Sequence, residues 1–166
     1  VFSTMATGGF STKTSSIEQF NSPFIEYVVT VFMIIAGANF SLHFFLFKGS
    51  FRYHKDPEFR FYIILMLLFV VFIAIDLLGR GIYNDFELAF RKASFQVASL
   101  LTTTGFTTAD YDKWSSFSRL ILFVCMFIGG CVGSTGGSIK VMRVMVLLKH
   151  SITEIKRIIH SRAVVF

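Results

Sequence analysis

Two long apolar runs constrain this chain more than any other feature of its sequence. Residues 24–47 contain a single charge, Glu26, and residues 59–78 contain Arg60 and Asp76 close to their ends. At about 1.5 Å per residue, each run is long enough as a helix to cross about 30 Å of hydrocarbon. The chain is 54% hydrophobic and 16% charged, unlike soluble domains. The sequence therefore predicts an all-α membrane protein in contact with lipid.

A third apolar region is interrupted by glycines. Residues 120–128 are too short to span a membrane, and a further apolar run, residues 139–148, follows GGCVGSTGGS, which has five glycines. Unpaired peptide groups facing lipid would each cost several kcal/mol, so the interruption must face protein or water. GSTGGSIK lacks the Gly-Lys-Ser/Thr order of a phosphate-binding loop. We predict one broken helix over residues 117–148.

The net charge of +6 is distributed unevenly along the chain. If the connection between the two long apolar runs, with the charges at its ends, and the C-terminal segment lie on one side of the membrane, that side has a charge of +7 and the other −1. Such an excess marks the cytoplasmic side of membrane proteins, and no nucleic-acid partner is predicted. The residues assigned to this side are the basic Lys48, Arg52, Lys55, Arg60, Lys140, Arg143, Lys149, Lys156, Arg157 and Arg162 and the acidic Asp56, Glu58 and Glu154.

Hydroxyl side chains cluster in LLTTTGFTTADYDKW, residues 100–114. The preceding residues 86–101 have a helical pattern, with Asn84 or Asp85 available as the cap. A helix of that length, about 24 Å, is too short and too polar in its first half to span. We predict a re-entrant helix followed by an irregular strand, residues 102–108. Irregular backbone at membrane depth is tolerated where it lines a water-filled cavity or is buried in protein, which points to a pore.

The hydroxyl-rich motif occurs twice. TGGFST, residues 7–12, matches TTGFTT, residues 103–108, at an offset of 96 residues. VFMIIAGANFS, residues 31–41, matches VCMFIGGCVGS, residues 124–134, at an offset of 93. The repeat unit is a span, a re-entrant helix, a strand and a second span.

The composition of the strand suits a dehydrated cation. A strand with small hydroxylic side chains can turn its backbone carbonyls toward a pore axis, where they replace the water of the ion. Glycine permits the backbone angles needed, and the C-terminal end of the re-entrant helix adds partial negative charge. No catalytic set of side chains accompanies these features, so an enzyme is not predicted.

Four segments resemble one known family: ATGGFST, LLTTTGFTTADYDKW, FIGGCVGSTGGSIKVMR and KRIIH. They are similar to the membrane subunit of the Trk/Ktr superfamily of potassium transporters, of the Trk type (TrkH-like). The resemblance implies four linked M1–pore helix–filter–M2 repeats, arranged like one potassium-channel pore, with a broken M2 helix in the later repeat. Residues 1–48 would end the second unit and residues 59–150 form most of the third. Residues 49–58 would be a cytoplasmic loop and residues 151–166 a basic cytoplasmic segment.

The resemblance also implies roles for particular residues. The K+ ligands would be the backbone carbonyls of Thr7, Gly8, Thr103 and Thr104, and the residues that shape the filter would be Gly9, Phe10, Gly105 and Phe106. The interruption would be an intramembrane gate that obstructs the cavity below the filter, formed by Gly129, Gly130, Gly133, Ser134, Thr135, Gly136, Gly137 and Ser138. Lys140 follows it and is a candidate gating charge, because a cation that reaches the cavity would repel K+ and help to hold a closed state.

The function implied is potassium uptake across the bacterial cytoplasmic (inner) membrane by a multi-pass protein, with K+ as the transported ion and no cofactor. A cytosolic nucleotide-binding ring (TrkA-like) would be the regulator, and a homodimer is expected. Sodium or mixed transport stays open, because the first unit's filter is absent. A homotetrameric channel is also open, although it predicts identical filters. Val1 is not an initiator, so a piece of a longer polypeptide is expected.

Three pairs of side chains allow smaller predictions. Asp76 and Arg80 are one helical turn apart and predict a local ion pair. Asn39 and His43 would share one face of the first apolar run and predict hydrogen bonding between helices, with a metal or proton site as the alternative. Packing is predicted for the thiols of Cys125 and Cys131.

Overall fold

The computed structural model describes residues 2–49 and 53–159. Within these ranges the secondary structure is helical, apart from an isolated bridge between Ile128 and Ile139, so the all-α prediction is confirmed. Two of the predicted inner basic residues, Arg52 and Arg162, lie outside the described residues. The helices are α1 (Phe2–Met5), α2 (Pro23–Gly37), α3 (Phe40–Phe47), α4 (Pro57–Gly79), α5 (Phe86–Leu101), α6 (Ser116–Phe127) and α7 (Val141–Ile159).

Helix α4 is the longest helix of the described part and begins with strong local signals. The Asp56 side chain accepts a hydrogen bond from the Phe59 amide at 2.9 Å, and Pro57 occupies the first turn, where no amide donor is needed. Among the described residues α4 is the one helix long and apolar enough to cross a membrane, and the bent pair α2 and α3 would be a second if it is one span.

The prediction of one uninterrupted helix over residues 24–47 is wrong. The axes of α2 and α3 differ by 100°. Ala38 and Asn39 are extended, and the Asn39 side chain accepts from the Ser41 amide at 2.9 Å, so it caps α3 instead of continuing α2. The hydropathy pattern does not indicate this break, because the residues on both sides of it are apolar.

No break in the helix marks the predicted boundary near residue 150. Helix α7 continues through the last apolar residues into the basic segment and reaches Ile159. Arg143, Lys149 and Lys156 therefore belong to one helix. The rest of the segment, residues 160–166, lies outside the described residues.

Helix α5 lies at the centre of the packing, between α2, α4 and α6. It spans the residues predicted for the helix, and Asp85 caps it by accepting from the Glu87 amide at 3.2 Å. Small side chains such as Ala93 and Ala98, both fully buried, let its neighbours approach closely. Its C-terminal end leads directly into the hydroxyl-rich strand.

Asp76 joins the end of α4 to the start of α6. Its carboxylate accepts from Arg80 Nε at 2.9 Å, as the predicted ion pair requires. It also accepts from the Ser118 hydroxyl at 2.6 Å and from Ser115. The ion pair is therefore one part of a larger set of contacts that fixes two helices at this end of the molecule.

Candidate functional site

The two copies of the hydroxyl-rich motif have the same backbone pattern. Thr7 and Gly9 have φ of 49° and 64°, and the equivalent Thr103 and Gly105 have φ of 59° and 83°. Residues other than glycine are strained at positive φ, so threonine is uncommon there. Reversing φ at alternate residues turns successive carbonyls toward the same side of the strand. Both copies therefore share a backbone conformation that is uncommon for threonine.

The two strands lie side by side. A Cβ atom added at Gly9 would be 2.1 Å from the carbonyl oxygen of Thr104, far inside van der Waals contact. The phenylalanines that follow the two glycines differ: Phe106 is buried, whereas Phe10 is 84% exposed. The structure thus brings Gly9, predicted to shape the filter, against Thr104, a predicted ligand of the second copy.

The threonine and serine hydroxyls hold the second strand against α5. The Ser99 carbonyl accepts from the amide of Thr104 at 2.8 Å, and the Ser99 hydroxyl donates to the carbonyl of Phe106 at 2.6 Å. The Thr102 hydroxyl bonds the Ala98 carbonyl at 2.7 Å. Among the described residues, no donor bonds the carbonyls of Thr7, Gly8, Thr103 and Thr104. The hydroxyls of Ser99 and Thr102 are therefore structural, whereas these four carbonyls accept no hydrogen bond within the described residues.

The Gly-rich segment, residues 128–140, is called here the α6–α7 loop. It contacts both strands at the ends that follow the helices. The Thr7 hydroxyl donates to the Thr135 carbonyl at 3.0 Å, and the Gly137 amide donates to the Thr103 hydroxyl at 2.7 Å. All the residues predicted for a gate lie in this loop, so it is positioned directly beside the candidate ligands.

Backbone hydrogen bonds join the two ends of the α6–α7 loop. The Gly129 amide donates to the Ile139 carbonyl at 2.8 Å, and the Val141 amide donates to the Gly130 carbonyl at 3.2 Å. A Cβ atom at Gly129 would be 2.0 Å from the Gly137 carbonyl oxygen. A glycine is therefore required at this position for the loop to keep its observed closure.

The break between α2 and α3 is bonded to the α6–α7 loop. The Cys131 amide donates to the Gly37 carbonyl at 2.9 Å, and the Phe40 amide donates to the Gly133 carbonyl at 3.1 Å. Phe40 and Gly133 are equivalent in the sequence repeat. The sequence interpretation missed this contact, although Gly37 followed by the capping residue Asn39 could have indicated the break.

Two charged side chains bind the α6–α7 loop. Lys140 donates to the Ser134 hydroxyl at 3.3 Å and to the Gly136 carbonyl, so its ammonium is bonded inside the loop. Glu58, at the start of α4, is 3% exposed and accepts from the Val132 amide at 2.7 Å. Glu58 was predicted only as one of the inner acids, and sequence reasoning gave no sign that it reaches the loop.

The remaining predicted pairs have structural explanations. His43 bonds the Ile35 carbonyl at 3.0 Å, which joins α3 to α2, but Asn39 precedes α3 and shares no helical face with it. In the described part of the chain no group of three His, Cys, Asp or Glu residues could hold a metal ion. Cys125 and Cys131 are buried free thiols, as the packing prediction required.

Comparison with known proteins gives consistent matches along the whole chain. A family model described as TrkH, cation transport protein, matches residues 1–166. The Trk system potassium uptake protein TrkH of Salmonella typhimurium is 44% identical over 98% of this chain, and TrkG of Escherichia coli is 34% identical over 97%. These alignments cover 34% and 33% of the two relatives, so the chain spans about a third of their length.

A solved structure matches the fold. The crystal structure of the potassium transporter TrkH from Vibrio parahaemolyticus superposes with a TM-score of 0.94, at 42% sequence identity. The match covers 99% of this chain and 36% of that protein. The arrangement of helices described above is thus similar to one third of a solved transporter.

Proposed function

The chain belongs to the TrkH family of cation transport proteins, and from this premise we propose that it forms part of a potassium uptake pathway. The observation that carries the proposal is the contact between Gly9 and the Thr104 carbonyl, which sets the two repeated strands side by side. In this proposal residues 1–48 and 59–150 contribute two walls of one filter. The relatives are named as potassium uptake proteins, which supports K+ as the ion.

The filter works by replacing water. K+ that enters the filter loses hydration, and the carbonyls of Thr7, Gly8, Thr103 and Thr104 take the place of water oxygens. The positive φ of Gly9 and Gly105 lets the strands keep these carbonyls on one side. The C-terminal end of α5, which leads into the second strand, adds partial negative charge that favours a cation there.

The α6–α7 loop is the proposed gate. Its bonds to Thr7 and Thr103 support this role. In the proposal the loop lies at the inner ends of both strands and obstructs an ion that leaves the filter. Conduction then requires the loop to move, which breaks these bonds. Lys140 bonds the Gly136 carbonyl, which supports the predicted role of this residue in holding a closed state, beside the predicted repulsion of K+.

The proposed setting is the bacterial cytoplasmic membrane, with the protein crossing it several times and lipid around its outer surface. A cytosolic nucleotide-binding ring (TrkA-like) would bind the basic residues of α7 and set the position of the gate, and two copies would form a homodimer. Two different filter sequences in one chain argue against a homotetramer of single pore units. Sodium transport by the same architecture is the second candidate function, and the experiment below distinguishes it from potassium transport.

The test is Gly105→Ser in the full-length protein, with Gly81→Ser as the matched control. Both glycines have positive φ, 83° and 67°, and neither would place a Cβ atom within 4 Å of another group of the described structure. Each substitution therefore costs about 1–2 kcal/mol of backbone strain. If the strain tilts filter carbonyls, Gly105→Ser lowers the K+/Na+ flux ratio in proteoliposomes about tenfold, whereas Gly81→Ser leaves it unchanged. Equal ratios for the two variants and the wild type would contradict a filter at Gly105, and a wild-type ratio that favours Na+ would select the sodium alternative.

A further inference from the structure

Lys92 connects three parts of the molecule. It lies in the first half of α5, and its ammonium donates to Glu26 Oε1 at 2.7 Å and to the Thr108 carbonyl at 2.9 Å. Glu26 belongs to α2, in the preceding repeat unit, and Thr108 is the last residue of the second filter strand. One side chain thus joins a helix of one unit to the filter strand of the next.

This contact is buried and strongly charged. The Glu26 side chain is 5% exposed and that of Lys92 15%. Arg91 adds a second cation, with its Nε 3.4 Å from Glu26 Oε2. A buried carboxylate is expensive unless it is paired, and hydrogen bonds between charged partners are about twice as strong as neutral ones. Glu26 therefore holds the Lys92 ammonium at a defined place beside the strand.

The same helix fixes the strand at a second point. Ser99 bonds the Phe106 carbonyl, and it lies seven residues after Lys92, on the same face of α5. The outer part of the strand is also bonded to the preceding unit, because the Thr107 carbonyl accepts from the Ile17 amide at 3.2 Å. Without Lys92, the last carbonyl of the strand would lose its attachment to α5.

We propose that Lys92 is a positioning residue for the selectivity filter: it is held by Glu26 and fixes the outer end of the strand through the Thr108 carbonyl. The inference rests on the proposed function, since it needs residues 102–108 to be a filter. Selectivity for K+ over Na+ then depends on a contact between two repeat units, because the carboxylate that orients Lys92 comes from the preceding one. Arg91 balances the charge of Glu26 without touching the strand.

The experiment compares two adjacent cations in the full-length protein. Lys92→Gln removes the bond to Thr108, and we expect the K+/Na+ flux ratio in proteoliposomes to fall about tenfold, equivalent to 1.4 kcal/mol. Lys92→Arg keeps a donor for both oxygens and should restore most of the ratio. Arg91→Gln is the matched control, because Arg91 contacts Glu26 and Glu87 but not Thr108, and it should leave the ratio unchanged.

The outcomes separate this inference from the proposal on which it rests. If Gly105→Ser lowers the ratio and Lys92→Gln does not, the role of Lys92 is overturned while the filter stands. If neither lowers it, the filter itself fails. An equal fall for Lys92→Gln and Arg91→Gln would mean general loosening and would also overturn the role. Should Lys92→Gln fail to fold, Glu26→Asp draws the carboxylate back by one methylene and must lower the ratio, and an unchanged ratio there overturns the inference.

Discussion

Replacing Glu58 with alanine should open the proposed gate. The Glu58 carboxylate accepts from the Val132 amide at 2.7 Å and is 3% exposed, so water competes little for this bond. Glu58 is in the first turn of α4, beside the proposed cytoplasmic loop, whereas Val132 is in the α6–α7 loop. The bond therefore connects the proposed cytoplasmic side of the protein to the proposed gate.

The size of the effect follows from the bond. A hydrogen bond to a charged group contributes about 1.5–3 kcal/mol, and an unsatisfied buried amide costs a similar amount. If the bond exists only in the closed arrangement, its loss favours the open arrangement about 10- to 100-fold. Glu58→Gln keeps an acceptor oxygen but loses the charge, so it should produce a smaller shift, of about tenfold or less.

Two measurements check this prediction. The first is K+ flux in proteoliposomes without the regulator, which should rise for Glu58→Ala. The second is modification of Cys131 by a small thiol reagent, in a variant where Cys131 is the only cysteine. Cys131 is 1% exposed in the structure, so opening of the proposed gate should accelerate labelling.

The matched control is Asp56→Ala. Asp56 is two residues away and caps α4 through the Phe59 amide at 2.9 Å. Its loss costs about 1 kcal/mol of stability and should leave both flux and Cys131 labelling unchanged. Identical flux and labelling for the Glu58 and Asp56 variants would refute the reasoning, because both effects would then come from a weakened helix start.

Two further substitutions test other contacts. Gly129→Ala would place Cβ 2.0 Å from the Gly137 carbonyl oxygen, so K+ flux without the regulator should rise. Gly79→Ala has open space around it and should not change the flux. Unchanged flux in both variants would mean that closure of the loop does not limit flux. Asp76→Asn removes the charge that accepts from three donors and should lower stability by about 2 kcal/mol or more, measured by thermal unfolding. Arg80→Gln, at a side chain 59% exposed, should cost less than about 1 kcal/mol, and an equal loss in both variants would assign the whole effect to the ion pair.

Part of the fold could be predicted because the sequence patterns were local. Charged residues at the ends of residues 59–78, with Asp56 and Pro57 before them, define α4 almost completely. Amphipathic spacing and the capping residue Asp85 define α5. Hydropathy did not predict the break between α2 and α3, because the apolar residues on both sides are compatible with a continuous helix. The break is formed where the single side chain of Asn39 caps α3.

The candidate site was predictable only where it repeats. The internal match identified Thr7 to Phe10 and Thr103 to Phe106 as equivalent, and the structure sets the two strands side by side. The contacts of Glu58 and Lys92 could not be predicted in this way. Each reaches a partner on another helix or loop, 74 and 66 residues away in sequence for Val132 and Glu26. Counting charges on each side of a membrane does not reveal which of them are buried.

The bonds between the α2–α3 break and the α6–α7 loop limit how the two repeat units can diverge. Gly37 and Gly130 occupy equivalent positions of the sequence repeat and touch each other, since a Cβ atom at Gly130 would lie 2.7 Å from the Gly37 carbonyl oxygen. A larger side chain at Gly130 would therefore displace the equivalent residue of the other unit. Selection on one unit's inner helix therefore acts on a pair of positions, and relatives that alter one of them should carry a compensating change at the other.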